Sequence, residues 1–311
     1  MKKLFIIGNG FDLAHGIPSS YSMFKDYFIQ NYCEKYFSFI TIYTMGKRDR
    51  NGKYRSEIKD GASVMEQYIS AACTSGNWGD FESALGKLDF LDLLPDSFDL
   101  YGNIIDSEVY ELNKQFASQV YNVFSSLPDI FKEWVDTIPI NGIPHPYFAN
   151  LIDKDDLFLT FNYTNTLEII YGLNNVFHIH GQQGGEKIIV GHGADNSHER
   201  LLRQSKIYHY DELLQLDYLL KKQTWSILDE PDTQTFLNRI DHNVSNVYSY
   251  GFGFSEADLP YIKAIIRQLD SDHVVWSFND YPSVETLESF KEKIRLQSYY
   301  GGFDTFHDTI S

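Results

Sequence analysis

The stretch that decides the fold is FNYTNTLEIIYGLNNVFHIHG, residues 161–181. An apolar run with β-branched and aromatic members at 157–161 leads into it, which is typical of a buried parallel strand. A helix and a second strand at 176–179 follow, so the pattern predicts a β-α-β unit. Such a unit places Asn162 and His180 at the carboxyl edge of a sheet. Ligands of open α/β sheets bind at that edge, so these two residues are the first candidates for chemistry.

Each of the two residues also has a purely structural interpretation. Asn162 can serve only as a helix cap, and His180 can be a core histidine whose ring is already hydrogen-bonded. The predicted helix has further capping candidates in Thr164 or Asn165 at its start and Gly172 at its end. The functional interpretation depends on two strand ends of one unit presenting both side chains together.

A glycine-rich turn, GNGFDLAHGIP at residues 8–18, follows a predicted first strand. Strand, glycine turn and helix in this order are typical of a nucleotide-phosphate loop, because missing Cβ atoms let backbone N–H groups approach an anion. Asp12 would repel a phosphate, so we expect it to cap the helix or to bind a ribose hydroxyl. Gly16 suits the end of that helix. A simple tight turn explains the glycines equally well.

Composition excludes several classes of protein. The net charge of −17 over 311 residues disfavours a nucleic-acid partner, which requires clustered Lys and Arg. The 2 cysteines, far apart in sequence, build neither a disulfide framework nor a four-cysteine zinc site. No apolar run approaches ~18 residues and the N-terminal one is too short for a signal peptide. We expect a cytoplasmic protein that binds small molecules or proteins, and neither nucleic acid nor membrane.

Strand and helix patterns alternate over much of the chain, which predicts an α/β fold with a doubly wound, mostly parallel sheet. Residues 31–141 lack that alternation and predict a mainly helical insertion, with a polar hairpin or loop at 47–59. Residues 1–30 and 142–311 then form the sheet domain. Strands are predicted at 4–7, 157–161, 176–179, 187–190, 244–250 and 273–278, and late helices at 199–226, 284–296 and after the capping residue Ser255.

Within the insertion, Trp78 to Glu82 form the conspicuous segment WGDFE. A capped amphipathic helix explains it, since Phe81 and Leu85 share one face. The functional interpretation is that Trp78 and one of the acids, Asp80 or Glu82, line a ligand pocket, with their helix packed across the cleft as part of a lid or interface.

Several motifs resemble those of sirtuins. GNGFDLAHGIP resembles the sirtuin glycine loop, Thr160 to Thr164 resembles its TQNID segment, and His180-Gly181 resembles its His-Gly pair. Gly251 to Ser255 is similar to the GTS turn that contacts nucleotide. A broader resemblance, over nearly the whole chain, is to the AbiH-type phage abortive-infection family. It is carried by IGNGFDLAHGIPSSY, by W-x-D-x-E at 78–82, by FNYTNTLE and by IHG.

These resemblances imply a sirtuin-like, Rossmann-type sheet with NAD in its cleft. In antiphage relatives NAD is destroyed rather than used to deacylate lysine. The resemblance assigns Asn162 and His180 as the catalytic pair, and since neither group needs a metal for this chemistry, none is expected. The residues expected to bind the nucleotide are Gly8, Asn9, Gly10, Asp12, Gly16, Gly251, Gly253 and Ser255.

The sequence departs from the sirtuin pattern at several points. Thr164 stands where sirtuins have Asp, Asp12 where the loop has Ser, and the Arg after GIP and the zinc ribbon are missing. We therefore expect hydrolysis of NAD to nicotinamide and ADP-ribose rather than deacylation. Its transition state resembles an oxocarbenium ion, for which an amide such as Asn162 orients water or ribose hydroxyls and a neutral His180 serves as base.

Two alternatives belong to other functional classes. His178 and His180 share one face of a regular strand, and with His192, Asp195 and His198 they predict a metal-dependent phosphoesterase. The second alternative is a non-catalytic sensor that binds NAD or a related nucleotide and signals to a partner. A phage-derived trigger and a second copy of the chain are further expected partners.

Overall fold

The computed structural model describes residues 2–90, 107–193, 211–240, 243–270, 272–279 and 283–308. The chain divides into two compact units, each with its own core. The first comprises residues 1–20, 135–189 and 223–311, and the second comprises residues 21–134 and 190–222. No helix among the described residues is long and apolar enough to cross a membrane.

The first unit is built on one sheet of six strands, all parallel, in the order β5-β4-β1-β6-β7-β8. Leu4, Phe5 and Ile6 of the central strand are fully buried, because helices cover both faces of the sheet. Strands β2 (Phe39–Arg48) and β3 (Tyr54–Asp60) belong to the second unit. The six are β1 (Lys2–Ile7), β4 (Leu157–Thr160), β5 (Val176–His178), β6 (Val244–Tyr250), β7 (Val275–Asn279) and β8 (Gly302–Phe306).

Strand β1 lies between β4 and β6, and the chain winds outward from it in both directions. This confirms the predicted α/β class and the mostly parallel sheet. One face of the sheet packs Leu4 and Ile6 against Tyr261, and the other packs Phe5 and Ile7 against Phe11. The helices of this unit are α1 (Asn9–Ala14), α7 (Pro146–Leu151), α8 (Thr166–Tyr171), α10 (Thr224–Asp229), α11 (Pro231–Leu237), α12 (Leu259–Ile266) and α13 (Val284–Arg295).

The second unit combines helices with an antiparallel hairpin, β2 (Phe39–Arg48) and β3 (Tyr54–Asp60). Its core is aromatic: Phe24 packs against Trp78, Phe81 and Phe131 with ring centroids 5.0 to 5.4 Å apart. The helices are α2 (Tyr21–Asn31), α3 (Gly61–Ala72), α4 (Phe81–Leu85), α5 (Ser107–Phe124), α6 (Leu127–Thr137), which ends in the first unit, and α9 (Asp211–Leu219).

The observed division differs from the predicted boundaries at 30/31 and 141/142. Helix α2 belongs to the second unit because Phe24 and Phe28 pack into the aromatic core around Trp78. Residues 190–222 also belong there, since α9 packs against α5. The hairpin is longer than the polar turn predicted at 47–59, because its ladder begins where Phe39 faces Asp60.

Two local predictions fail or fall partly outside the described residues, and one strand was missed. Residues 187–190 form no strand, although Ile189 N–H donates to His180 O at 2.8 Å after the turn at Gly181. Of the long helix predicted at 199–226, the described part is two helices, α9 and α10, and residues 199–210 lie outside the described ranges. Strand β8 was not predicted, because as an edge strand it exposes most of its side chains.

Candidate functional site

The glycine turn after β1 packs directly against the end of β6. Gly8 N–H donates to Tyr250 O at 2.9 Å, and Gly10 N–H donates to Gly251 O at 3.0 Å. A Cβ on Gly8 would lie 2.6 Å from Gly251 O, and one on Gly10 would lie 2.7 Å from Gly251 Cα. The backbone N–H groups of Gly8 and Gly10 were predicted to bind phosphate. Instead they join the loop after β1 to the loop after β6, at the place where the sheet reverses its winding.

Gly16 ends α1 as the sequence predicted. Its φ of +71° is left-handed, its N–H donates to Leu13 O at 3.1 Å, and Ile17 N–H donates to Asp12 O at 2.9 Å. This pair of bonds is a Schellman motif, which satisfies the last carbonyls of a helix. Gly16 is thus accounted for by helix termination.

Asp12 lies inside the molecule, with 0% of its surface exposed. It does not cap α1, which has no side-chain cap. Instead Thr164 Oγ1 donates to Asp12 Oδ2 at 2.5 Å, and Thr166 Oγ1 donates to Thr164 Oγ1 at 3.1 Å. Burial raises the pKa of Asp12, although these hydroxyls, Asn162 and Ser19 act in the opposite direction.

The other oxygen of Asp12, Oδ1, is buried and has no hydrogen-bond partner among the described residues. Buried polar atoms are nearly always paired, so such an oxygen marks a place where a ligand or water donates. Asp12 and Thr164 are also two of the positions at which the chain departs from the sirtuin motifs, and the structure shows them bonded to each other.

Asn162 connects the end of β4 to the end of β1. Its Nδ2 donates to Gly8 O at 3.1 Å, and its backbone N–H donates to Thr160 Oγ1 at 3.0 Å. Because a carbonyl only accepts, the NH₂ end of the amide faces Gly8 and the Oδ1 end is the acceptor that remains. The cap position of α8 is taken by Asn165, so Asn162 is not its helix cap.

His180 follows β5 in a turn and is 2% exposed. Its Nε2 lies 3.3 Å from Tyr261 Oη, and its ring meets Phe161 edge-on at 5.5 Å. The turn requires a glycine next, since Gly181 has φ +85° and a Cβ there would lie 2.1 Å from Lys187 O. Asn162 and His180 both sit at the carboxyl edge as predicted, but both are buried.

The shared face required for a His178/His180 metal site is absent. Strand β5 ends at His178, whose Nε2 lies 2.8 Å from Glu168 Oε1 on α8, whereas His180 turns toward Tyr261 and the opposite face. His192 pairs with Asp217 at 3.4 Å in the second unit. The described residues contain no group of three or more His, Cys, Asp or Glu that could hold a metal, and Asp195 and His198 lie outside them.

The segment after β6 contains the last three predicted nucleotide-binding residues. Gly251 has φ +63°, and a Cβ on it would lie 2.2 Å from Phe11 N, so packing alone requires this glycine. A Cβ on Gly253 would meet nothing within 4 Å. Ser255 was expected to cap a helix, but Asp258 is the residue before α12, and Ser255 Oγ donates to Asp258 Oδ2 at 2.7 Å.

Comparison with known proteins identifies the chain at the level of family. A family model described as bacteriophage abortive infection AbiH matches residues 4–280. The chain belongs to the AbiH family. No curated protein and no solved structure matches it, so the sirtuin-like character of the fold stays a prediction.

In this AbiH chain the three side chains of the W-x-D-x-E motif have hydrogen-bond or ion-pair partners within the second unit. Trp78 is fully buried and its Nε1 donates to Ser70 Oγ at 2.9 Å. Asp80 accepts from Thr74 Oγ1 at 2.7 Å, which lowers the pKa of Asp80. Glu82 lies 2.8 Å from Lys222 Nζ. Packing and pairing account for the motif, and its role as a lid stays a prediction.

A buried polar network that the sequence did not reveal lies in the first unit. The rings of His15 and His145 stack with centroids 3.9 Å apart, and His15 Nε2 lies 2.5 Å from Tyr171 Oη. Asp308 Oδ2 accepts from Tyr250 Oη at 2.8 Å and lies 3.0 Å from His145 Nδ1. Burial lowers the pKa of His15 and raises the pKa of both tyrosines.

Part of this network lies beyond the AbiH match, since Asp308 follows residue 280. The sequence offered one local signal, the position of His15 four residues after Phe11 in the glycine-turn motif, where its Nδ1 lies 2.7 Å from Phe11 O. The partners of His15 come from residues up to 156 positions away, and no pattern of residues predicted them.

Proposed function

We propose that this AbiH protein is an antiphage abortive-infection effector that hydrolyses NAD to nicotinamide and ADP-ribose, with Asn162 and His180 as its catalytic pair. One observation carries the proposal: Asn162 bonds to Gly8, and Asp12, whose Oδ1 has no hydrogen-bond partner in the described part of the chain, is buried beside the same turn at the end of the central strand. Doubly wound sheets bind nucleotides at this place.

The available groups suit the reaction. Water adds across the bond between nicotinamide and ribose, so the water oxygen joins C1′, nicotinamide leaves with the bonding electrons, and one proton is released. The oxocarbenium-like transition state is stabilised when ribose hydroxyls are held by acceptors. Asp12 Oδ1 provides a buried acceptor for such a hydroxyl, and the Oδ1 end of Asn162 orients the water. His180 takes the proton that the water loses.

Nicotinamide release from purified protein, with and without phage components as activators, tests the proposal. Asn162→Ala and His180→Ala should each lower the rate by ~10² to 10⁴, because each removes a group that positions water or accepts a proton. Both side chains are buried, so thermal unfolding must show that the variants are folded.

Matched controls are present in the same unit. Asn175 Nδ2 also donates to backbone carbonyls, Lys154 O at 3.2 Å and Asp156 O at 2.9 Å, but next to the start of β5. His273 is an exposed histidine. Asn175→Ala and His273→Ala should keep the wild-type rate. Full turnover in both site variants would show that the catalytic pair is assigned wrongly, and a folded, activated wild type that binds no NAD would refute the nucleotide proposal.

The burial of both catalytic candidates favours one second candidate function. Asn162 and His180 are only 7% and 2% exposed, and a sensor that binds NAD or a related nucleotide and signals to a partner needs neither side chain to reach a reacting atom. Calorimetry with NAD, run beside the turnover assay, separates the two. Binding without turnover, even with phage components present, would assign the sensor function.

A further inference from the structure

The ring of His178 lies within hydrogen-bond distance of the main chain of Asn162 and of a side chain on α8. Its ring is 4% exposed, and its two nitrogens face two different elements. Nδ1 lies 3.1 Å from Asn162 O in the loop after β4, and Nε2 lies 2.8 Å from Glu168 Oε1. Thr160, which bonds the Asn162 N–H, lies beside His178 in the strand register.

Both atoms that face the ring are hydrogen-bond acceptors in their ordinary state. A backbone carbonyl has no proton to give, and an ionised carboxylate has none either. A neutral imidazole has one N–H and satisfies one of the two, whereas two N–H groups satisfy both. The two distances therefore place the ring of His178 between two oxygens, Asn162 O and Glu168 Oε1.

Glu168 in turn depends on His178. Its second oxygen, Oε2, is buried and has no hydrogen-bond partner among the described residues. Within that part of the chain the two ring nitrogens of His178 face Glu168 Oε1 on α8 and the carbonyl oxygen of Asn162. The nearly buried ring is thus fixed between the loop after β4 and a partly buried carboxyl group.

We infer that His178 and Glu168 are positioning residues, which hold the Asn162 backbone so that its amide points correctly for the reaction. The inference rests on the proposed function for its consequence, but its geometry can be tested separately. His178 does not touch the reacting atoms in this role. Without its bond to Asn162 O the loop after β4 is fixed by fewer contacts, and misplacing a reacting group by ~1 Å costs as much as ~10² in rate.

The first experiment locates the ring proton and needs no turnover. Nitrogen-15 NMR of the wild-type His178 ring should show a proton on Nδ1, the nitrogen that faces Asn162 O. Glu168→Gln should keep that proton, because a glutamine amide can donate to Nε2 and leave Nδ1–H for Asn162 O. The surface pair of His273 and Asp270, with nitrogen and oxygen 3.1 Å apart, is the matched control in the same spectra. A wild-type ring without a proton on Nδ1 would overturn the inference.

The second experiment measures nicotinamide release. His178→Ala should lower kcat by ~10 to 10² while KM for NAD stays within ~3-fold, because positioning acts on the reaction and not on binding. Glu168→Gln should recover most of the wild-type kcat, whereas Glu168→Ala should not. Unchanged kcat in folded His178→Ala would overturn the positioning role. A wild type without any turnover would refute the proposed function. The NMR experiment would still decide whether His178 Nδ1 donates to Asn162 O.

Discussion

The two motifs that stand out most in the sequence have different physical origins. In the second unit, Trp78, Asp80 and Glu82 all reach partners, so the conspicuous residues are those that hold that unit together. In the first unit, Asp12 is buried with one oxygen that no described residue bonds. A buried polar group whose hydrogen bonds are all made within the protein indicates a structural role, and one that lacks a partner indicates a site for a ligand.

The largest effect should come from Trp78, whose ring packs against Phe24, Phe28 and Phe81. Trp78→Ala leaves a cavity in that core and should lower the free energy of unfolding by ~3 to 5 kcal/mol. Chemical denaturation measures it. Trp225→Ala, at a tryptophan that is 68% exposed, is the matched control and should change stability by less than ~0.5 kcal/mol. A well-folded Trp78→Ala that had lost only NAD binding would show that Trp78 serves a ligand site and not the core of the second unit.

The next effect concerns the pair of Lys222 and Glu82. The Lys222 side chain is 3% exposed, so Glu82→Ala leaves its ammonium group buried without this carboxylate and should cost ~3 kcal/mol of folding free energy. Glu82→Gln combined with Lys222→Met should recover most of that loss, because no charge is then buried. Denaturant titration of the single and double variants decides it. A double variant as unstable as the single one would show that Glu82 has a role other than this pairing.

The smallest effect is the change in folding stability caused by Asp→Asn substitutions. It should have opposite signs in the two units. Burial raises the folded-state pKa of Asp12 above the ordinary 3.8, so the charged form costs stability as pH rises through the folded-state pKa. At pH 7 Asp12→Asn should therefore stabilise the fold and weaken NAD binding ~10-fold or more.

The matched variant is Asp80→Asn, whose effect on stability should have the other sign. Thr74 lowers the pKa of Asp80, so its charged form stabilises the fold above the unfolded-state pKa and that contribution is lost as pH falls through the folded one. Thermal melts between pH 4 and pH 8 compare the two. Destabilisation by both substitutions at pH 7 would mean that Asp12 is a structural residue like Asp80.

Much of the first unit could be predicted from sequence because its signals are local. Apolar runs locate β1, β4 and β6, and Gly16 and Gly172 mark helix ends through their left-handed backbone. The same signal misled at 187–190, where Ile188 and Val190 are buried without a strand ladder. An apolar run indicates that a segment is buried, but the segment forms a strand only where a partner strand is present.

The polar contacts of the candidate site could not be predicted in the same way. Asp12 and Thr164 bond across 152 positions, and Asp308 reaches His145 across 163. Nothing in the local pattern distinguishes an aspartate that meets a threonine from one that meets solvent. The resemblance to known motifs found Asn162 and His180, but it gave no indication that His178 faces Asn162.

The central position of β1 has a consequence for synthesis on the ribosome. Its first neighbour in the sheet begins at Leu157, and its second ends at Tyr250. At ~5 to 20 residues per second, about 10 to 50 s separate the synthesis of Ile7 from that of Tyr250. Both edges of this apolar strand are unpaired until β4 is made and one edge stays unpaired until β6 is made, a state that invites aggregation. This AbiH chain should therefore associate with ribosome-bound chaperones from its first strand onward.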